Sequence, residues 1–394
     1  MAESPDPLRV ALLAGTLGRG GAEKQLVYMA RALRDAGVRV RVYTLGENEF
    51  HEAALREAGL GPTGVGRAAN PVLRAVTFAY ALRSFRPHIV QAAHAYVNLY
   101  VALASRLYRS LAIGAIRGDA VDDVRDIGRW GRLLLQLPHA LLTNSYTAQR
   151  NAAGLGADPA AIHVVPNVID SSIFEARDRH LREDYPTSGH GVVVVLGSLL
   201  RLKRLDRFLE ALALARREVP GLKALVVGEG PERLSLEALA HGLALLPEGL
   251  EFRGACDDVP GLLAEASMLA LTSDHEGLPN VILEAMAARL PVVTTPAGDA
   301  GLVVQDGVTG YVVPFESVEV LAERMVRLAR LPDLRRKLGE AGRAHVREHY
   351  ACAGLADRLL SVYRAVALRR GRHHVLAKLP PRRVQLGSGE TPGI

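Results

Sequence analysis

The sequence predicts two doubly wound α/β domains facing a cleft, with a closing helix that returns from the second domain to the first. Three observations predict it. Strand-length apolar runs alternate with helix-length amphipathic segments, in two successive series. A polar, Pro/Gly-bearing stretch between residues 164 and 191 separates the series, as linkers do. The chain has 394 residues and 49% hydrophobic content, too long for one ordinary core and enough for two.

The first series opens with LRVALLAG, Leu8 to Gly15, a continuous apolar run followed by Gly18, Gly20 and Gly21. AEKQLVYMARALRDAG then places apolar residues at helical spacing up to Gly37, so strand, glycine loop and helix follow one another. VRVRVYTL alternates as a strand, and HIVQAA, LAIGAIR and ALLTNS continue the strand signals. The linker VVPNVIDSSIFEARDRHLREDYPTSGHG leads to the second series: VVVVLGSL, a helix over about residues 205–217, KALVVGEG, LEFRG, MLALTSD, PVVTT and GYVVP, with helical stretches between them. VEVLAERMVRLARL and LADRLLSVYRAVALRRG close the chain as amphipathic helices, the second long enough to cross between domains. The expected bounds are 1–177 for the first domain, completed by a helix over about 355–372, 178–354 for the second, and a basic, flexible tail over 373–394.

Composition narrows the function classes. The opening residues lack a basic start followed by a long apolar core, so no secretory signal is expected. YVNLYVALASRLYRSLAIGAI is interrupted by Arg106 and Arg109, short of the roughly 18 apolar residues of a span. Two cysteines, Cys256 and Cys352, make neither a disulfide framework nor a zinc set and suit a reducing, cytoplasmic compartment. The net charge of +6 is uneven: residues 1–165 hold 19 Lys/Arg against 13 Asp/Glu, and the tail from Arg369 holds six against Glu390. A basic half suits anionic ligands or an anionic membrane, giving an expected peripheral place at the membrane inner face. The sparse aromatics are not interleaved with basic residues as a nucleic-acid stacking platform needs, and no nucleic-acid partner is expected.

The chemistry-bearing residues cluster at the predicted strand ends, where open α/β sheets bind ligands. GTLGRGGAEK offers glycines through which backbone N–H groups reach a phosphate, yet it lacks the dinucleotide spacing, and no acid ends the second strand to take a ribose diol; a nicotinamide dehydrogenase is disfavoured. LGSLLRLKRLD sets Arg201, Lys203 and Arg204 after a buried strand, where a cation neutralises a leaving diphosphate. HEGLPNVILE places a loop over Ser273 to Pro279 before a helix that Pro279 or Asn280 opens, and its free N–H groups suit an anion. Glu276 and Glu284 flank that site. Carboxylates repel an anion but accept paired hydrogen bonds from vicinal hydroxyls, so the set fits a nucleotide sugar, with a diol on each side of its diphosphate.

EGLPNVILE as a Glu-x7-Glu motif, with PVVTT and DGVTGYVVP behind it, resembles the retaining glycosyltransferases of family 4 (glycosyl transferases group 1), whose GT-B fold pairs two Rossmann-like domains. The resemblance extends to GRGGAEKQL, VVPNVID, GSLLRLKRLD, GEGP and FRG, nearly the whole chain. It implies that Lys203 meets the diphosphate, Glu276 the donor-sugar hydroxyls and Glu284 the ribose diol. Gly20 and Gly21 would lie in the first loop, backbone near Gly254 would meet the base, Gly277, Leu278, Pro279, Asn280 and Val281 would hold sugar and phosphate, and His94 in QAAHAYVN would stand beside the reacting sugar. The implied activity moves a sugar from a UDP- or GDP-sugar to a saccharide, lipid-linked or other hydroxyl acceptor in cell-envelope or polysaccharide synthesis, with no cofactor and no essential metal. Ser198 replaces the family's arginine, so Arg201 or Arg204 becomes the substitute; Leu302 replaces a common acid, and Arg289 a frequent glycine at a helix end.

Three rival readings follow from the same chain. A nucleotide-sugar-binding protein of weak catalysis would keep the fold and the Ser198 change. HVREH, His345 to His349, fits an inverted zinc-peptidase pattern and would make a zinc hydrolase. DHE, Asp274 to Glu276, mimics an acidic metal motif.

Overall fold

The computed structural model describes residues 6–66, 70–174 and 191–381. Seven parallel strands form the first sheet: β1 (Arg9–Ala14), β2 (Arg39–Thr44), β3 (Thr63–Gly64), β4 (Ile89–Ala92), β5 (Leu111–Ile116), β6 (Ala140–Thr143) and β7 (Ile162–Val164), in the order β3-β2-β1-β4-β5-β6-β7. Six parallel strands form the second: β8 (Val192–Leu196), β9 (Lys223–Val227), β10 (Leu250–Gly254), β11 (Met268–Leu271), β12 (Val292–Thr294) and β13 (Gly310–Val312), in the order β10-β9-β8-β11-β12-β13.

The continuous apolar runs are explained by burial on both faces. Along β1, Val10, Leu12 and Ala14 enter the core under the Gly21–Asp35 helix, while Ala11 and Leu13 enter the opposite core with Phe78, Leu82 and Val101. β11 splits likewise, Met268 and Ala270 to one side and Leu269 and Leu271 to the other. Side chains alternate along a strand, so a strand covered on both faces has no polar positions to spare. The register is uninterrupted here: Val10 lies beside Val40 and Ile89, and Leu269 beside Val194 and Val292.

In each sheet the chain order reverses at the centre, between β1 and β4 in the first and between β8 and β11 in the second. The loops leaving those four strands open into the crevice of a doubly wound sheet. They are the Gly15–Gly20 loop, the segment at His94, the Gly197–Arg204 segment and the Thr272–Pro279 loop.

The Leu355–Arg369 helix returns to the first domain as expected. Leu355, Leu359, Tyr363 and Val366 join its core, and the Tyr363 hydroxyl donates to Gln91 Oε1 at 2.5 Å. Of the expected tail, residues 373–381 are described. His373–Leu376 forms one further helical turn, and Val375 and Leu379 bury in the same core, because two apolar residues spaced four apart find a ready groove beside the returning helix. Residues 382–394 and the expected boundary at 177/178 lie outside the described residues. β3 and β7, too short to stand out as sequence patterns, extend the first sheet at its edges. Among the described residues no helix is long and apolar enough to cross a membrane.

Candidate functional site

The first domain's side of the crevice is organised by the start of the Gly21–Asp35 helix. Gly20 stands at its N-cap, and a Cβ there would overlap the Glu23 carboxylate, so glycine lets Glu23 fold back. Glu23 is 6% exposed, and its Oε1 lies 3.1 Å from His94 Nε2. The other ring nitrogen, Nδ1, accepts the backbone N–H of Gly15 at 3.2 Å. An imidazole that accepts at Nδ1 carries its proton on Nε2, so His94 donates to Glu23 and is held as one tautomer in one orientation. The Tyr96 ring stacks on His94 with centroids 5.2 Å apart.

The second domain supplies the predicted cation. After β8 the chain passes Gly197 and the exposed Ser198, makes a 3-10 turn over Arg201–Lys203 and takes a left-handed conformation at Arg204 (φ 49°). The Thr272 hydroxyl bonds the carbonyls of Lys203 and Arg204, each at 3.0 Å, and so anchors this turn to the loop after β11. Lys203 Nζ then lies 2.5 Å from Glu276 Oε1, which also accepts the Ser273 hydroxyl at 2.7 Å. The remaining acid of DHE is taken: Asp274 pairs with Arg204 and with the buried Arg207, both at 3.1 Å. Arg204 is also bonded by Asp206, and these carboxylates, Asp206 first, hold its guanidinium above its ordinary value despite some burial. Arg201 is exposed.

The two sides meet through polar contacts of long sequence separation. Lys24 Nζ crosses to Glu284 Oε1 at 2.6 Å; burial works to depress the Lys24 ammonium, but Glu284 and other contacts outweigh it and raise it above the usual lysine value. Gln25 donates to Asn280 Oδ1 at 2.9 Å and to the Val168 carbonyl at 2.8 Å, and Asn167 donates to the Leu278 carbonyl at 2.8 Å. A Cβ on Gly21 would overlap the Asn280 amide, so this glycine permits the close approach of the domains. Asp299 reaches back to accept the N–H groups of Tyr146 and Thr147 at 2.7 and 3.0 Å, capping the Tyr146–Gly154 helix of the other domain.

Gly277 leaves no room for a side chain against Asn144 and the Arg117 carbonyl, and its own carbonyl accepts the Asp299 N–H at 2.9 Å. Leu278 is buried, Pro279 is the N-cap, and the Asn280–Ala287 helix, which includes Val281, begins without a side-chain cap, leaving first-turn N–H groups for a ligand. Gly254 closes β10 with φ +77° and accepts the Gly228 N–H at 2.7 Å. Arg289 does adopt the left-handed conformation (φ 60°) after the helix ends. Leu302 is half-exposed and lines, with Thr147 and Arg150 of the first domain, a cavity of about 450 Å³ that holds none of the predicted site residues.

Of the two metal motifs read from sequence, HVREH contributes no residue to a group of three candidate ligands among the described residues, and DHE contributes only His275. His345 and His349 face each other on the Pro332–His349 helix with ring centroids 4.6 Å apart, and burial keeps His345 below the usual imidazole range. Among the described residues, the one group of three candidate ligands is Asp119, Asp122 and His275, with ligand atoms within 4.8 Å of one another.

The description "Glycosyl transferases group 1" matches residues 178–345, and "Glycosyltransferase Family 4" matches residues 19–173. The chain belongs to the family 4, group 1 glycosyltransferases. The N-acetyl-alpha-D-glucosaminyl L-malate synthase of Bacillus anthracis is 30% identical over 204 residues, 51% of this chain and 53% of that protein. The GDP-mannose-dependent alpha-(1-6)-phosphatidylinositol monomannoside mannosyltransferase of Mycobacterium tuberculosis is 33% identical over 233 residues, 56% of this chain and 60% of that protein. The chain thus spans about half to three fifths of the length of these curated relatives. In fold it resembles Anabaena Alr3699/HepE in complex with UDP-glucose, with a TM-score of 0.79 over 90% of this chain and 99% of that one at 19% identity. The sucrose-phosphate synthase of Thermosynechococcus elongatus gives a TM-score of 0.74 over 92% and 100% at 18% identity. In this family 4 chain, sequence reading named Lys203, Glu276, Glu284 and His94 but not Glu23 and Lys24, which the structure sets against His94 and Glu284. The only available signal was their place in the first turn after the Gly20-Gly21 pair.

Proposed function

We propose that the protein transfers a sugar, with retention, from a UDP- or GDP-sugar to a saccharide or lipid-linked hydroxyl acceptor in cell-envelope or polysaccharide synthesis. The observation that carries this reading is the Lys203–Glu276 pair at 2.5 Å, set at the centre of the second sheet beside the uncapped start of the Asn280–Ala287 helix. A cation and free N–H groups suit the diphosphate, and the carboxylates suit the hydroxyls on either side of it. Neighbours in fold were solved with UDP and UDP-glucose, and a relative is named for GDP-mannose, which supports a nucleotide-sugar donor.

In the proposed reaction the bond from the sugar's anomeric carbon to the diphosphate breaks, the electron pair leaving with the diphosphate. An acceptor oxygen bonds to the same face of the oxocarbenium-like sugar, and the hydroxyl proton passes to the departing phosphate oxygen. Lys203 and the helix start stabilise the growing negative charge. Glu276 holds sugar hydroxyls, and Glu284 offers its second oxygen to the ribose while Lys24 keeps the first. Arg201 stands in for the missing arginine at Ser198, because Arg204 is already committed to Asp206 and Asp274. His94, fixed by Glu23 and Gly15, faces the reacting sugar. The protein works at the cytoplasmic side of the membrane, with no essential metal.

A screen of nucleotide release across UDP-, GDP- and ADP-sugars, with saccharide and lipid-linked acceptors and with chelator added, tests this reading. Release of UDP or GDP that depends on an acceptor and persists in chelator is expected. Tight binding of UDP or GDP without release in any combination would overturn it in favour of a binding protein.

A further inference from the structure

We infer that the first domain docks on an anionic lipid bilayer through the outer face of the Pro71–Leu82 and Asn98–Tyr108 helices. Both helices carry apolar residues on the side that packs and on the side that does not. In the first, Phe78 and Leu82 are fully buried, whereas Val72, Val76 and Tyr80 follow one another at four-residue spacing with 69, 60 and 62% exposure. In the second, Val101 and Ala104 are buried, whereas Leu99, Leu103 and Leu107 repeat the same spacing outward with rising exposure to 65% at Leu107. An ordinary surface helix puts polar residues at those outward positions.

The two stripes belong to neighbouring helices. The helices pack in one core, and the Tyr108 hydroxyl donates to the Ala79 carbonyl at 2.6 Å. Trp130 and Leu133, also exposed, stand at the start of the Gly131–Gln136 helix, which packs against the Asn98–Tyr108 helix. An apolar surface of this extent marks an interaction site.

Charge selects the occupant. From Asn70 to Gly118 the chain contains no Asp or Glu. Arg83, Arg106 and Arg109 stand exposed at the helix ends, with Arg129 and Arg132 beside Trp130. The Arg83 guanidinium lies over the Tyr80 ring at 4.2 Å and Arg129 over Trp130 at 5.1 Å. Aliphatic stripes rimmed by Tyr, Trp and Arg match the boundary of a bilayer, where the rings sit at headgroup depth and guanidinium groups meet lipid phosphates. A second copy would set these arginines against their own kind, since a two-fold contact pairs a patch with itself. The acids that follow, Asp119 and Asp122, gather under His275 at the cleft.

The position of the face gives it a use. Just before the second helix, in the turn over Ala95–Val97, stands Tyr96, 46% exposed, whose ring stacks on His94. A bilayer held against Leu99, Leu103 and Leu107 therefore meets the crevice at the histidine placed beside the reacting sugar. On the reading that the acceptor is lipid-linked, docking presents its hydroxyl to the site from the membrane. This consequence rests on that reading; the docking itself does not.

Co-sedimentation of the full chain with phosphatidylcholine vesicles, with and without phosphatidylglycerol and at low and high salt, tests the inference. The wild type should partition onto the anionic vesicles, more weakly at high salt. L103E/L107E should lose about tenfold or more in partition, with unchanged melting temperature and unchanged turnover on a soluble acceptor. R106Q/R109Q should lose most of the salt dependence. Failure of the wild type to bind anionic vesicles, or equal binding by L103E/L107E, would overturn docking, as would a lipid-free dimer abolished by L103E/L107E. If vesicles bind but only free saccharides accept sugar, the acceptor reading fails and docking stands. If a lipid-linked acceptor works in detergent while vesicles do not bind, docking fails and the acceptor reading stands.

Discussion

Glu276 and Glu284 lie on one loop and the helix that follows it, yet their cations come from different domains. Glu276 is 12% exposed and pairs with Lys203 of its own domain, braced by the Ser273 hydroxyl. Glu284 is 7% exposed and pairs with Lys24, across the cleft. The first pair persists whatever the domains do, whereas the second exists only when they are closed. On the proposed reading, the charge for the departing diphosphate therefore comes from one domain alone. On the same reading, the hold on the ribose is coupled to closure, because Lys24 meets Glu284 only when the two domains are together.

The largest test of this contrast is Lys203→Ala. It should lower kcat by about 10²–10³ with a much smaller change in donor KM, as expected for charge met chiefly in the transition state. Steady-state kinetics showing the loss in KM alone would break the comparison. Next, Glu284→Gln should raise donor KM by about tenfold with kcat little changed, the worth of a hydrogen bond to a charged group. Lys24→Met should couple to it: a double-mutant cycle read from UDP or GDP affinity should depart from additivity by about 1 kcal/mol, and additive effects would mean that the ion pair does not act in binding.

A comparable effect concerns the residue adjacent to Lys24. Glu23→Ala should lower kcat about tenfold by freeing His94, and Glu23→Gln should recover most of it, because an amide carbonyl still accepts the Nε2 proton. Equal losses in both variants would assign Glu23 to charge instead of orientation.

The smallest expected effect concerns an acid that, unlike the two glutamates, has no cationic partner among the described residues. Asp123 Oδ2 is buried without a hydrogen-bond partner, and burial, followed by the neighbouring Asp126, Asp119 and Asp122, pushes its carboxyl up to about 7. The folded state then holds more protons than the unfolded one between about pH 4 and 7, so stability falls as pH rises through that window. Asp123→Asn should remove this fall, raising the melting temperature by about 2–4 °C at pH 8 and leaving it near wild type at pH 4. Equal melting curves at pH 8 would show that the carboxyl is solvated.

Much of the fold was legible because parallel strands covered on both faces leave unbroken apolar runs such as RVALLA and VVVVL. β3 and β7 were not legible, since two or three residues carry no period. Lys203, Glu276 and Glu284 could be read because each sits at a strand end or helix start with local signals. Arg204 and Arg201 could not be told apart, as only the folded chain shows Arg204 turned to Asp206 and Asp274.

The amino-acid sequence by itself determined the two doubly wound domains, the loops that carry the site and the chemical types gathered there, since these depend on local periodicity and on residues close in the chain. Tertiary structure alone decided the pairings: Lys24 with Glu284, Glu23 with His94, Asp299 with the start of a helix in the other domain. Those partners are separated by 71 to 260 residues, and no local pattern encodes a contact between residues so far apart in the chain. The same reason holds for the apolar stripes: each helix reads as a core helix, and only packing shows which of its faces is left outside.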